Sequence, residues 1–209
     1  MKSIDINTWN RHSHFELFNS FDYPHFNITA PIDIENFANN CRKREISFTV
    51  ATAYLFAKSA NELESFRYRI RSQNVILHEV VHPSFTIMTN NELFSYCTVN
   101  YEDDFSKFYK SAKEKISLMK KKPSLSNKPW QDELIYMTAI PWVSFTSFVH
   151  PIHMNPVDSV PLIAWGKYYQ DGNTIKMPVS VQVHHALMDG QHVAEYFENM
   201  KTHFKNFNI

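Results

Sequence analysis

An α+β fold, a large mixed β-sheet covered by a few helices, is predicted by three features of the 209-residue sequence. Segments with apolar residues at helical spacing are separated by β-branched and aromatic runs. Proline or polar residues bound those runs, as they bound strands. Apolar residues make up 44% of the chain, with 17 Phe, 10 Tyr and 4 Trp, which is ample for a large core.

Taken in order, 26–32 reads as a strand. Residues 33–44 (DIENFANNCRKR) read as a short helix, acidic first and basic last, as the helix dipole favours. Residues 48–63 (FTVATAYLFAKSANEL) are apolar on most faces and predict a largely buried helix. Strands follow at 75–81, 85–88 and 93–99. A helix over 104–120 places Phe105, Phe108, Ala112, Ile116 and Met119 on one stripe with lysines opposite. The stretch 120–130 (KKKPSLSNKPW) reads as a loop whose lysines form a solvated face. Strands are expected at 134–139, 143–148, 161–169 and 174–184. Asp171-Gly172-Asn173 makes a hairpin turn between the last two, because these residues readily supply positive φ. The final helix covers 191–204, with Val193, Tyr196, Phe197, Met200 and Phe204 as its apolar face. No repeat or composition shift divides the chain, so residues 1–209 read as one domain.

Composition excludes several function classes. The three glycines, Gly166, Gly172 and Gly190, are too scattered for a phosphate-cradling loop or a dinucleotide fingerprint. Lys+Arg and Asp+Glu balance at 21 each, which argues against nucleic acid or an anionic membrane as a partner. Cys41 and Cys97 are too few for a disulfide framework or a structural zinc site and fit a reducing cytosol. The opening residues hold no apolar stretch of signal-peptide length, and no run approaches the ~18 apolar residues of a membrane span. The expectation is a soluble, cytoplasmic protein.

Among the eleven histidines, His12/His14, His78/His82 and His150/His153 could each supply two metal ligands. No third ligand sits at a supporting spacing, so no metal is expected. The segment Val181-Gln182-Val183-His184-His185-Ala186-Leu187-Met188-Asp189-Gly190 differs. A long apolar strand ends in two histidines, and a short link then carries an aspartate and a glycine before a helix. A histidine held at a strand end suits a general base, and the glycine could bring the chain round. Equally, Asp189 could cap the helix over a packed histidine pair.

This HHxxxDG segment resembles the signature of the CoA-dependent acyltransferase superfamily, and the chain is similar to one branch, the trimeric chloramphenicol acetyltransferases. Trp9-Asn10-Arg11-His12-Ser13-His14-Phe15-Glu16 resembles the family's W-x-R-x-x-H-F-E segment. Pro141-Trp142-Val143-Ser144-Phe145-Thr146-Ser147-Phe148 resembles its P-W-V-x-F-x-S-F strand, and Gly166-Lys167-Tyr168-Tyr169 completes the set.

The resemblance implies a homotrimer with active sites at subunit interfaces. In each, His185 is the general base that takes a hydroxyl proton as the oxygen attacks acetyl-CoA, without an acyl-enzyme. It implies that Asp189 pairs with Arg11 to fix the catalytic turn, and that Thr138 stands where the family has a serine donor to the tetrahedral intermediate. Lys167, Tyr168 and Trp142 match residues on the CoA side, Lys167 and Tyr168 near the 3′-phosphate and adenine. Phe18, Phe94 and Ala164 match the acceptor pocket. Acetyl-CoA is the implied co-substrate and chloramphenicol the implied acceptor, with antibiotic resistance as the role. The chain departs from the family in four ways. Gln191 replaces an aromatic residue, Ala164 a threonine and Ser47 a cation, and the stretch 17–24 lacks a usual cysteine. These departures leave open a different alcohol acceptor, or a non-catalytic trimeric binder of CoA or hydrophobic ligands.

Overall fold

The computed structural model describes residues 1–90, 92–125 and 131–208. In chain order the elements are β1 (Lys2–Ile4), α1 (His12–Asn19), β2 (His25–Asp33), α2 (Glu35–Lys43), α3 (Phe48–Asn61), β3 (Tyr68–Arg71), β4 (Asn74–Leu77) and β5 (His82–Met88). They continue with β6 (Phe94–Thr98), α4 (Phe105–Lys121), β7 (Leu134–Ile140), β8 (Leu162–Gly166), β9 (Tyr169–Asp171), β10 (Thr174–His184) and α5 (Gly190–Lys205). The four expected helices are all present. Asp104 caps α4 by accepting from the Lys107 N–H at 2.9 Å, and α3 is buried from Val50 to Ala57 on every face. Of the expected loop at 120–130, Lys120 and Lys121 belong to α4, and 126–130 lie outside the described residues.

The large sheet runs β2-β10-β8-β7-β5-β6, with β9 paired to β10. It is mixed, as expected: β7 is parallel to both neighbours and the other pairs are antiparallel. The segment expected at 75–81 does not join it. It forms β4 of a separate sheet ordered β1-β4-β3. The sequence concealed this hairpin because its turn uses Ser72 at φ 57, a conformation usually given to Gly or Asn. β3 also carries a fully buried arginine. Arg69 donates to the carbonyls of Phe66, Tyr68, Asp132 and Leu134, tying the small sheet to the start of β7. Burial lowers its pKa only to about 10, so it stays charged at neutral pH.

Register assigns the two faces of the large sheet. Ile28, Val181, Ile163, Met137, Phe85 and Cys97 fall on one face, and α3 and α5 cover it. There Phe56 of α3 meets Trp165 edge-on at 5.6 Å, and Tyr196 of α5 donates to the Phe56 carbonyl. The opposite face carries Thr29, Ser180, Ala164, Thr138, Thr86 and Tyr96 in one row. β2 and β10 therefore alternate apolar and polar residues, as strands between a core and a polar surface should.

That polar face explains why 143–148 is not the expected strand. Its chain is held by side chains instead of a ladder. Ser180 Oγ donates to the Phe148 carbonyl at 2.8 Å, and Gln182 Oε1 accepts from the His150 N–H at 2.8 Å. Among the described residues one backbone bond, from the Lys167 N–H just after β8 to the Val143 carbonyl, links it to the sheet. Gly166 makes the close approach possible: a Cβ there would lie 2.8 Å from Pro178 Cγ and 2.9 Å from the Val143 oxygen. The expected strand 161–169 is likewise divided, with Lys167 and Tyr168 between β8 and β9. Gly172, at φ 58, turns the last hairpin as anticipated. Gly190 does not: it is the first residue of α5, lacks positive φ, and an added Cβ would meet nothing.

His25 and His184 are paired across β2 and β10 on the polar face, and His150 packs nearby against Phe148. Burial, reinforced by His25 and His185, pushes His184 down to about 3, and burial pushes His150 down to about 4. Burial also lowers His25, against an opposing effect of Asp158. Unfolding returns each ring to an ordinary value near 6.5, so the unfolded chain takes up protons below that pH while the folded chain resists. Stability is then complete above pH 6.5 and falls as pH drops towards 4. Urea unfolding should show this decline, and His150→Leu should remove on the order of 2 kcal/mol of it; an unfolding midpoint constant over that range would contradict the assignment. Gly166→Ala should cost about 1–3 kcal/mol by forcing 143–145 outward, read as a lowered Tm. An unchanged Tm would refute the close packing.

Candidate active site

The turn after β10 is pinned on several sides. The His185 N–H donates to the Pro24 carbonyl at 2.8 Å. Its ring stacks flat on Phe18 of α1 at 3.7 Å and 5°, and Phe26 of β2 tilts against it at 4.7 Å. Arg11 bridges the turn. One guanidinium nitrogen donates to Asp189 Oδ2 at 2.9 Å, and the other approaches the His185 carbonyl at 3.4 Å. The structure therefore brings His185, Phe18, Arg11 and Asp189 together, although residues 11 and 189 stand at opposite ends of the chain.

Asp189 does both things that its sequence position allowed. It is the N-cap of α5, accepting from the Gln191 N–H at 3.1 Å, and it is also the carboxylate partner of Arg11. Burial alone would raise its pKa, but the hydrogen bonds from Arg11 and then His192 hold it well below the usual carboxylate range. Asp189 is therefore ionised at any working pH, and Arg11 keeps its partner. His184, the first of the pair, is buried, and its Nδ1 accepts from the Ala186 N–H. His185 is only half-buried, with Nδ1 enclosed and without a hydrogen-bond partner among the described residues.

The other expected residues form a second group. Thr138 of β7 lies beside Ala164 of β8, which lies beside Ser180 of β10. Thr138 is half-buried, and its hydroxyl makes no hydrogen bond among the described residues. Ala164 leaves a methyl where a hydroxyl would stand, and the neighbouring Ser180 hydroxyl is taken up by Asn27, Thr29 and the Phe148 carbonyl. Phe94 begins β6 on the same face, 46% exposed. Trp142, 68% exposed, follows β7, and Lys167 and Tyr168 follow β8. Tyr168 tilts against Phe48 at 5.7 Å.

Within one chain the two groups are apart. His185 lies five residues beyond Ser180, roughly 17 Å along the strand, and Thr138 is two strands, about 10 Å, to the side. Phe26 was missed by the sequence reading; strand alternation from Ile28 puts it on the helix-covered face, but only the turn brings His185 round to it. Gln191 does not enter the site: its amide donates to Glu195 one helical turn on.

The other histidine pairs are separated in role. His78 contacts Asp132, which also receives two bonds from Arg71, while His82 Nδ1 accepts from the Tyr101 N–H. His12 faces Glu16 at 3.5 Å. His78, Asp132 and Glu133 lie close enough for a metal ion, but the guanidinium already on Asp132 disfavours a second cation there. No helix among the described residues is long and apolar enough to cross a membrane.

The family model described as chloramphenicol acetyltransferase matches residues 1–201. A chloramphenicol acetyltransferase from Klebsiella sp. is 30% identical over 95% of this chain and 91% of its own. One from Clostridium butyricum is 31% identical over 95% and 92%. A solved chloramphenicol acetyltransferase superposes with a TM-score of 0.84 at 25% identity, covering 97% of this chain and 99% of its own. The catalytic core of a 2-oxoacid dehydrogenase complex from Thermoplasma acidophilum shares the fold, with a TM-score of 0.70 at 14% identity over 89% of both chains. With the pinned histidine turn, the ordered motifs and a match along nearly its whole length, the chain belongs to the chloramphenicol acetyltransferase family.

Proposed function

We propose that residues 1–209 act as one domain that transfers acetyl from acetyl-CoA to a hydroxyl of chloramphenicol, in the cytoplasm, and so confers resistance to the drug. The observation that carries this reading is the His185 turn, a half-buried imidazole clamped between aromatic rings and backbone anchors. His185 Nε2 accepts the acceptor hydroxyl proton while that oxygen bonds to the thioester carbonyl carbon. The resulting oxyanion takes a hydrogen bond from Thr138. Collapse breaks the C–S bond, and the imidazolium returns its proton to the departing thiolate. Each step suits its group: a neutral imidazole with its proton on Nδ1 has a free lone pair on Nε2, and the Thr138 hydroxyl has no partner among the described residues.

The distance between the His185 and Thr138 groups supports a trimer in which each site combines residues from two copies. A ring of identical subunits repeats one contact between unlike surfaces, so each His185 can meet a neighbour's Thr138. The row of Thr29, Thr138 and Thr86 on the face without helices is suited to such a contact. Phe18, Phe94 and Ala164 then line the acceptor pocket, while Lys167, Tyr168 and Trp142 meet CoA. Two buried, unpaired cysteines agree with a reducing compartment.

Purified protein with acetyl-CoA and chloramphenicol should release thiol well above background, and no release at saturating drug would refute the acceptor assignment. In that case an acceptor screen tests the other alcohols that Ala164 admits. His185→Ala should lower kcat by about 10²–10⁴-fold; retention of more than a few per cent of activity would remove its role as base. Asp189→Asn should leave acetyl-CoA binding nearly unchanged and reduce kcat by about 10²-fold, because a small displacement of the reacting geometry is that costly. A variant with wild-type kcat would show that Arg11 alone holds the turn.

A further inference from the structure

Asp189 is held at both of its oxygens. Arg11 donates to Oδ2 at 2.9 Å, and His192, the third residue of α5, places Nδ1 2.8 Å from Oδ1. An ionised carboxylate oxygen only accepts, so a ring nitrogen at that distance carries the proton and donates. The same Nδ1 stands 3.2 Å from the Asp189 nitrogen, the contact of a capping box. It cannot accept there while it donates to Oδ1, and the shorter, charge-assisted bond prevails. The Gln191 N–H adds a bond of 3.1 Å to Oδ1, which the helix start supplies whatever side chain stands at 192.

Arg11 has few other holds. Its Nε is buried without a partner among the described residues, and its contact to the His185 carbonyl is long, at 3.4 Å. The direction of the guanidinium, and with it the path of the His185 turn, therefore follows the plane of one carboxylate. Rotation about the Cβ–Cγ bond of an aspartate is soft, so a second strong donor at Oδ1 is what fixes that plane. His192 can supply it because Val193 and Tyr196 anchor the same turns of α5 in the core. A cleft of about 410 Å³ beside Trp9 and Tyr68 opens onto Arg11, Asp189 and His192. The Asp189 side chain is 35% exposed there, so water would replace a lost donor without fixing the carboxylate plane. We propose that His192 is a positioning residue for acetyl transfer. By holding Asp189 Oδ1 it keeps Arg11 on the His185 carbonyl and the imidazole in its reacting place. The assignment rests on His185 being the base, and it gives His192 no contact with either substrate.

Steady-state kinetics, run well below the Tm of each variant, test the assignment. His192→Leu keeps an apolar body and loses the donor; it should lower kcat about tenfold while changing either KM by less than about twofold. His192→Asn carries an amide nitrogen near the place of Nδ1 and should recover most of the wild-type kcat. In an Asp189→Asn background, His192→Leu should cost no further kcat, because the route through Asp189 is already cut. NMR of the free protein gives a readout apart from turnover. The His185 Cε1–H shift should move in His192→Leu and return in His192→Asn, whereas loss of a helix cap alone would lower the Tm and leave that shift in place. Wild-type kcat in His192→Leu, an additive loss in the double variant, or no recovery in His192→Asn would each overturn the positioning role and leave the base reading intact. A wild type that transfers acetyl to no alcohol would overturn the base reading, and the assignment with it.

Discussion

The contact between Arg11 and Asp189 joins the N-terminal segment to the start of the last helix, 178 positions along the chain. Arg11 precedes α1, Asp189 begins α5, and β10 delivers His185 between them. The guanidinium also reaches the His185 carbonyl, so one side chain sets the path of the whole turn. The imidazole lies flat against Phe18 of α1, and the Phe15 N–H of the same helix donates to the Arg11 carbonyl. Asp189 serves both the ion pair and the cap of α5, which couples the histidine turn to a helix packed on the core. Removing either charge would leave the other partly enclosed without its partner, which is why such pairs break at high cost.

The two faces of the large sheet differ in chemistry. Alternation along β2 and β10 turns valines and isoleucines towards α3 and α5, and threonine, serine, glutamine and histidine away from them. The helix-covered face supplies the burial that holds the sheet rigid. The polar face carries Thr138 and Ala164, and its side chains, not a further strand, hold the segment leading from Trp142 to His150.

Helices were legible where their signals are local. The continuous apolar run over 48–61, the apolar stripe over 105–121 and a charge gradient over 35–43 depend only on residues a turn or two apart. The last hairpin was equally legible, because Gly172 marks its turn. The hairpin of β3 and β4 was not, since Ser72 takes a left-handed conformation without a glycine to advertise it and Arg69 interrupts the apolar pattern. α1 was also missed: it is short and buries only Phe15, so it lacks a readable stripe. Residues 143–148 have strand-like composition, but their partners are side chains of β10, and composition does not register that difference.

The sequence by itself determined the chemistry that is available. Through its resemblance to the family it pointed to His185, Asp189, Arg11 and Thr138, and its alternation settled which strand residues are apolar on one side. Only the tertiary structure decided what stands beside what. It put Phe18 and Phe26 on the imidazole, sent Gln191 away to Glu195, and kept His185 far from Thr138 within a single chain. The physical reason is range. Periodicity and capping act over a few residues, whereas ion pairs, ring stacks and strand register join residues more than a hundred positions apart, and no local pattern encodes those distances.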